Sequence, residues 1–130
     1  LPNTEGVFVP NGWYPGVNNY QNKAMVQEYL KKYGGTPASI SSDVAEAYAV
    51  GQVVAQAVTK THSLDNAKLI AELHSGDTFK SVQGPVRFDA TGQNTAAQAY
   101  LFQWQHGNLV PVFPASQAQA KPEYPKPNWH

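Results

Sequence analysis

The residues of this chain that are best suited to binding chemistry are aromatic. Trp13 and Tyr14 share a loop rich in glycine and proline, Tyr20 follows shortly after, and Tyr48 lies in a stretch of small and aliphatic residues. Tyrosine and tryptophan join a large apolar ring to one polar group, a combination common in small-molecule pockets. Packing is the alternative for each, with Tyr48 as a core tyrosine and Trp13 and Tyr14 as loop residues.

Metal or cofactor chemistry is not indicated by the spacing of the potential ligands. Of the four histidines, no two lie three or four residues apart, and there is no cysteine in the sequence. A metal site needs several ligands that converge. We therefore expect no metal ion and no other cofactor.

Catalytic motifs are likewise missing from the sequence. It contains no Gly-x-Ser-x-Gly, no Gly-x-Gly-x-x-Gly and no Gly-Lys-Ser/Thr loop. Several of the nine carboxylates have an interpretation as helix caps or turn residues. A hydrolase with widely separated carboxylates remains an alternative, since the two members of a glycosidase pair can be far apart in sequence.

The composition excludes other classes of function. The chain has 130 residues, enough for one modest domain, and its net charge is zero, so no basic surface is available to bind nucleic acid. No apolar run approaches the roughly 20 residues that span a bilayer. No signal peptide opens the chain, as expected also of a mature protein or a fragment.

Hydrophobic periodicity predicts two helices in the first half of the chain. Residues 41 to about 59 form the longer one, with Asp43 and Glu46 as a capping box. It has almost no polar face, which predicts burial inside a larger body. Residues 20–33 form the other, which ends before a glycine pair and turns one stripe inward: Val26, Tyr29, Leu30 and Tyr33.

A third helix is predicted over residues 63–74. Ser63 caps it, and Ala67, Ile70 and Ala71 face inward. Short apolar or alternating runs predict strands at residues 6–10, 78–82, 85–88, 100–105 and 109–113, and residues 38–40 could form another. Strands on both sides of three helices indicate an α/β fold, but their irregular alternation indicates part of a larger domain.

The segment Gly-Pro-Val-Arg-Phe-Asp-Ala-Thr-Gly-Gln-Asn at residues 84–94 is a strand that ends in a turn. Val86 and Phe88 lie on one face because strand side chains alternate. Asp89, Gly92 and Asn94 supply turn chemistry. From residue 115 onward the chain has no periodicity, and we expect an extended tail held through Tyr124 and Trp129.

The order of these segments resembles the C-terminal third of the type I periplasmic binding proteins, in particular the branched-chain amino acid and amide group that serves ABC importers. The segments that carry the resemblance start at Glu5 (Glu-Gly-Val-Phe-Val-Pro), Tyr29 (Tyr-Leu-Lys-Lys-Tyr-Gly), Ala45 (Ala-Glu-Ala-Tyr-Ala-Val-Gly-Gln), Gly84, Gln103 (Gln-Trp-Gln-His-Gly-Asn-Leu-Val-Pro) and Tyr124 (Tyr-Pro-Lys-Pro-Asn-Trp). It implies a partial Rossmann-like lobe with three helices, a few strands and an extended proline-rich tail.

The resemblance also implies a domain organisation and a binding site. Family members clamp a ligand between two α/β lobes joined by three crossovers. Residues 1–16 would be the end of the second lobe and a crossover, residues 17–107 part of the first lobe, and residues 108–130 a crossover and a tail returning to the second. Tyr48 would face the cleft, with Trp13 and Tyr14 beside the hinge.

The implied partners follow from the same resemblance. They are an amino acid or small amide as ligand, an ABC permease, and the missing lobe segments, supplied by the same full-length protein or by a partner chain. The location would be periplasmic or extracellular, with a lipid anchor in the full-length protein. No catalysis is implied, and the chain alone is expected to bind amino acid weakly or not at all. A ligand-sensing regulatory domain of the same fold is the nearest alternative.

Overall fold

The computed structural model describes residues 4–126 and has an α/β fold, as predicted. Its helices among these residues are Asn22–Tyr33 (α1), Ser42–Thr61 (α2) and Asn66–Leu73 (α3). Its strands are Phe8–Asn11 (β1), Phe79–Ser81 (β2), Gly84–Val86 (β3), Tyr100–Gln105 (β4) and Asn108–Phe113 (β5). None of the helices in this part of the chain is long and apolar enough to cross a membrane.

The chain divides into two compact units. The end unit contains the two ends of the chain, up to Trp13 and from Ala99 onward, and the central unit is Tyr14–Gln98. In the end unit the strands form an antiparallel sheet in the order β1-β4-β5, with Phe8 opposite Gln103. The strand predictions here are confirmed, but β4 pairs with β1, whereas the sequence grouped residues 100–105 with the middle of the chain.

Two buried glutamines of β4 hold the tail of the end unit. The amide nitrogen of Gln103 donates to the carbonyls of Gly6 at 3.1 Å and Glu123 at 2.9 Å. Its amide oxygen accepts from Gln105 at 2.8 Å and from the backbone N–H of Glu123 at 2.7 Å. Gln105 also donates to the carbonyl of Lys121 at 2.8 Å. All four hydrogen-bonding positions of Gln103 are thus used.

This network corrects the predicted attachment of the tail. Tyr124 is exposed and does not hold the tail in this chain, and Trp129 lies outside the described residues. The tail is attached through hydrogen bonds of its backbone groups, and not through aromatic rings as predicted. The physical reason is that a buried amide needs partners, and an extended segment without a strand neighbour offers free carbonyl and N–H groups.

Helix α1 starts the central unit and anchors the loop before it. The side chain of Asn22 is buried and donates to the carbonyls of Pro15 and Val17, both at 2.9 Å. The predicted helix is confirmed, and Gly34, at φ 74°, ends it by donating to Leu30. Tyr33, predicted to face inward, is exposed. The buried residues of α1 lie nearer its N-terminus: Asn22, Met25 and Val26.

Helix α2 differs from the prediction at its start and in its burial. Its N-cap is Ser41, and Asp43 already lies in the first turn, where its charge favours the helix dipole, so the predicted capping box is wrong. Burial all round is not seen within this chain, where the main packing partners of α2 are α3 and β2. A single stripe is buried: Ala45, Ala49, Val53 and Ala57.

Helix α3 begins later than predicted and presents another face. Its cap is Asp65, whose carboxylate accepts from the N–H of Lys68 at 3.0 Å, so the Ser63 cap is wrong. Leu69 and Leu73 pack against the core formed with Val53, Ala57 and Phe79. The residues predicted to face inward are exposed, because the face that carries Leu69 and Leu73 is the one turned to the core: Ala67, Ile70 and Ala71.

The hairpin of β2 and β3 completes the central unit. Gln52 and Gln56 of α2 bind its backbone, with Gln52 accepting from Val82 at 2.8 Å and Gln56 accepting from Lys80 at 3.0 Å. The strand predictions at residues 78–82 and 85–88 are confirmed, although β2 is shorter than predicted and β3 begins one residue and ends two residues earlier. Residues 38–40 do not form the strand that was considered; Pro37–Ser39 is a 3-10 helix.

The turn after β3 forms as predicted. Val86 and Phe88 both pack on the core of the central unit. Asp89 Oδ1 accepts from the N–H of Thr91 at 2.8 Å, from its hydroxyl at 2.6 Å and from the N–H of Gln93 at 3.1 Å. These hydrogen bonds lower the pKa of Asp89, the one from the Thr91 side chain most. Gly92 has φ +85°, as a turn glycine requires.

Candidate functional site

Tyr48 lies in the second turn of α2, and its side chain reaches solvent. Its exposed fraction is 43%, so in this chain it is not the core tyrosine that was the alternative interpretation. The 3.6-residue period of the helix places Val44, Gly51 and Ala55 on the same side. A ring and a hydroxyl are therefore presented together on a surface of small and apolar residues.

Trp13 and Tyr14 lie where the chain passes from the end unit to the central unit. Trp13 is 1% exposed, which makes it one of the most buried large side chains among the described residues. Tyr14 is half-buried, and its carbonyl accepts from the N–H of Val17 at 3.1 Å in a turn. Of the two, Tyr14 offers surface to a ligand, whereas Trp13 has the environment of a packing residue.

The sequence did not reveal a groove in the central unit between α2, α3 and β3. Its volume is about 270 Å³. Its walls are apolar and come from both helices and the strand: Ala49, Val50, Val53, Val54, Leu73, Val86 and Phe88. Three polar residues complete the lining: Glu46, Gln83 and Asn94. The alternation of Val86 and Phe88 was the available signal, but it does not show what faces those side chains.

Two carboxylates converge on one lysine at the other end of α2. Lys60 Nζ lies 2.8 Å from Glu72 Oε1 and also contacts Asp77. The ion pairs tie α2 to α3 and to the loop before β2, beside a cavity of about 260 Å³. Because one ammonium contacts both carboxylates and joins three segments, the arrangement suits a structural link.

The sequence and the fold were compared with known proteins. Residues 1–108 match the family model described as periplasmic binding protein. A Leu/Ile/Val-binding protein homolog 7 of Brucella suis is 31% identical over 121 residues, which are 91% of this chain and 29% of that protein. The chain thus spans less than a third of this relative.

Solved structures give the same result for the fold. An ABC-type branched-chain amino acid transporter protein from Rhodopseudomonas palustris is 25% identical with a TM-score of 0.65, covering 94% of this chain and 32% of that one. An ABC transporter substrate-binding protein from Desulfitobacterium hafniense, in complex with Leu, is 21% identical with a TM-score of 0.67. That match covers 84% of this chain and 32% of the other.

Proposed function

Because this chain belongs to the periplasmic binding protein family, we propose that it is part of an extracytoplasmic solute-binding receptor for an ABC importer. The receptor binds an amino acid or a small amide in the cleft between two lobes. The family match over residues 1–108 is the observation that carries the proposal. The fold family binds its solute without converting it, and we extend this to the chain: it performs no reaction.

Tyr48 is the main ligand contact that we propose for this chain. Its exposed ring can pack against an apolar ligand side chain, and its hydroxyl can donate to or accept from a polar group. Tyr14 supplies a second aromatic surface beside the crossover. Trp13 is the third proposed ligand contact, although at 1% exposed it offers little surface in this chain.

Most of the receptor comes from outside these 130 residues. The chain spans 29% of the Brucella suis relative, so the other lobe segments are supplied by the same full-length protein or by a partner chain. In this proposal the central unit, Tyr14–Gln98, belongs to the first lobe and the end unit to the second, in place of the boundaries at residues 16 and 107 expected from the sequence.

The remaining partners follow from the receptor function. The complete receptor delivers its ligand to an ABC permease, which places it in the periplasm or outside the cell, and a lipid anchor holds the full-length protein to the membrane. Closing of the two lobes around the ligand is the functional event, a hinge motion. Nucleic acid is not a partner, since the net charge of the chain is zero.

A fusion tests the proposal. In this receptor fusion the chain replaces the matching 121 residues of the Brucella suis relative. Titration calorimetry with leucine, other amino acids and small amides is expected to show binding. The Tyr48→Ala variant should lose at least tenfold in affinity, about 1.4 kcal/mol, while Tyr48→Phe separates the ring from the hydroxyl.

The control is Tyr33→Ala, which removes another exposed tyrosine of the central unit, on α1. It should leave the affinity unchanged. A folded fusion that binds none of these ligands would contradict the proposed function. Equal losses of affinity in Tyr48→Ala and Tyr33→Ala would contradict only the role of Tyr48, and not the receptor function.

A further inference from the structure

An asparagine–glycine pair ends the first strand of the end unit. Asn11 is the last residue of β1, where it lies opposite Tyr100, and Gly12 follows it outside the ladder. Of the nine asparagines in the sequence, Asn11 alone precedes a glycine. Both residues lie just before the chain leaves the end unit at Trp13, and the proposed binding site uses neither of them.

The side chain of Asn11 is turned back onto the backbone nitrogen of Gly12. The N–H of Gly12 donates to Asn11 Oδ1 at 2.8 Å, and this contact is exposed to solvent. Because Cγ is bonded to Oδ1, the nitrogen is held beside the carbon of the side-chain amide. Holding two reacting groups next to each other within one molecule is what accelerates an intramolecular reaction.

We propose that Asn11 is a site of spontaneous deamidation through a succinimide. Hydroxide takes the proton of the Gly12 N–H, and the nitrogen attacks Asn11 Cγ. The new N–C bond closes the succinimide ring, while the bond from Cγ to the side-chain nitrogen breaks and that nitrogen leaves as ammonia after taking a proton from water. Water then opens the ring. Cleavage of the bond between the Gly12 nitrogen and Cγ leaves aspartate, and cleavage of the bond to the main-chain carbonyl carbon leaves isoaspartate.

Gly12 makes the attack sterically accessible. Glycine has no Cβ, so its backbone can approach a neighbouring group closely. Apart from the two chain neighbours, no described residue comes within 4 Å of the place where a Cβ on Gly12 would lie, so the surroundings do not obstruct the ring either.

Asn108 provides an internal control in the same molecule. It is also exposed and lies at the end of a strand, but Leu109 follows it. Its amide nitrogen donates to the carbonyl of His106 at 3.1 Å, so its side chain is turned toward the preceding residues. Asn108 should therefore keep its amide under conditions in which Asn11 loses it.

Incubation of the purified chain in neutral buffer tests the proposal. Both products replace an amide by a carboxylate, so the net charge falls below its value of zero and anion exchange separates the products. Peptide mass spectrometry should then place the change at Asn11. Gly12→Ala should slow the loss of the Asn11 amide by about tenfold or more, equivalent to about 1.4 kcal/mol of activation free energy.

Gly12→Ala should keep the melting temperature of the wild type, since Gly12 has no positive φ and a Cβ would meet open space. Asn11→Gln is the second variant, because its longer side chain disfavours closure of the ring. It should retain its amide throughout the incubation.

The same incubation in urea separates the effect of the fold from that of the sequence. The folded chain should lose the Asn11 amide at least as fast as the unfolded chain, because the fold holds the two groups together. A folded rate about tenfold below the unfolded rate would overturn the proposal, since the fold would then obstruct the reaction. Loss of the Asn11 amide no faster than that of Asn108, or at the same rate in Gly12→Ala as in the wild type, would overturn it as well. None of these outcomes depends on the receptor function.

Discussion

At the scale of single residues, carboxylates that organise turns are the best-defined chemistry of this chain. Asp89 gathers three hydrogen bonds around one oxygen, and Glu5 accepts from the backbone N–H groups of His106 at 2.5 Å and Gly107 at 3.3 Å. In both cases hydrogen bonds to the ionised form lower the pKa. The Asp89 turn was predictable because it is local, whereas Glu5 lies about a hundred residues from the turn that it caps.

Asp89 should make stability depend on pH. Its pKa in the folded protein lies below the ordinary value of 3.8, so its carboxylate stabilises the fold above that value, and the effect is lost as the pH falls through the lower folded pKa. Asp89→Ala should lower the urea midpoint at pH 7, and the difference from the wild type should close in strong acid.

Asp43→Ala is the control for this prediction. Asp43 lies in the first turn of α2 rather than at its cap. At pH 7 the urea midpoint of Asp43→Ala should fall by less than that of Asp89→Ala. An Asp89→Ala midpoint that stays equally far below the wild type at every pH would contradict the assignment to the carboxylate.

Sequence reasoning could single out Tyr48 but not describe its surroundings. An aromatic residue in a run of alanine and valine is visible in the sequence. Whether its ring lies in a core or on a surface depends on which stripe of α2 is buried, and that depends on partners far away in the chain. The same limit applied to Ile70, which the pattern placed inward and the fold leaves 59% exposed.

At the scale of elements, the buried amides of β4 give the tail the hydrogen-bond partners that a neighbouring strand would otherwise supply. Gln103 binds Gly6 on one side and the tail at Glu123 on the other. This attachment could not be predicted, since glutamine is ordinarily a surface residue and the tail has no pattern of its own.

Gln103→Leu should therefore loosen the tail. The change keeps the bulk of the side chain but leaves buried donors and acceptors without partners, at a cost of about 2–3 kcal/mol. Hydrogen exchange at the Glu123 N–H should accelerate in the variant, because that group donates to Gln103 at 2.7 Å.

Gln119→Leu provides the comparison, since Gln119 is an exposed glutamine of the same tail. It should change the free energy of unfolding by no more than about 0.5 kcal/mol and leave exchange at Glu123 unaltered. Unchanged exchange in Gln103→Leu would show that the tail is held by other contacts.

At the scale of the whole molecule, the sequence predicted the element types better than their partners. The three helices and the strands follow from local periodicity and turn chemistry, which the structure confirms with shifts of a few residues. The buried stripe of α2 and the pairing of β4 with β1 depend on contacts between distant segments. The expectation that α2 lies inside a larger body concerns the complete receptor, and since the chain spans only 29% of the Brucella suis relative, it stays a prediction.

Titration of leucine, other amino acids and small amides into the isolated chain and into the receptor fusion, side by side in a calorimeter, tests the account most directly. The chain supplies Tyr48 and its neighbours but spans only 29% of the relative. The account predicts no measurable heat of binding for the chain alone and clear binding for the fusion. Micromolar binding of leucine by the isolated, monomeric chain would contradict it, because the site would then be complete within these 130 residues.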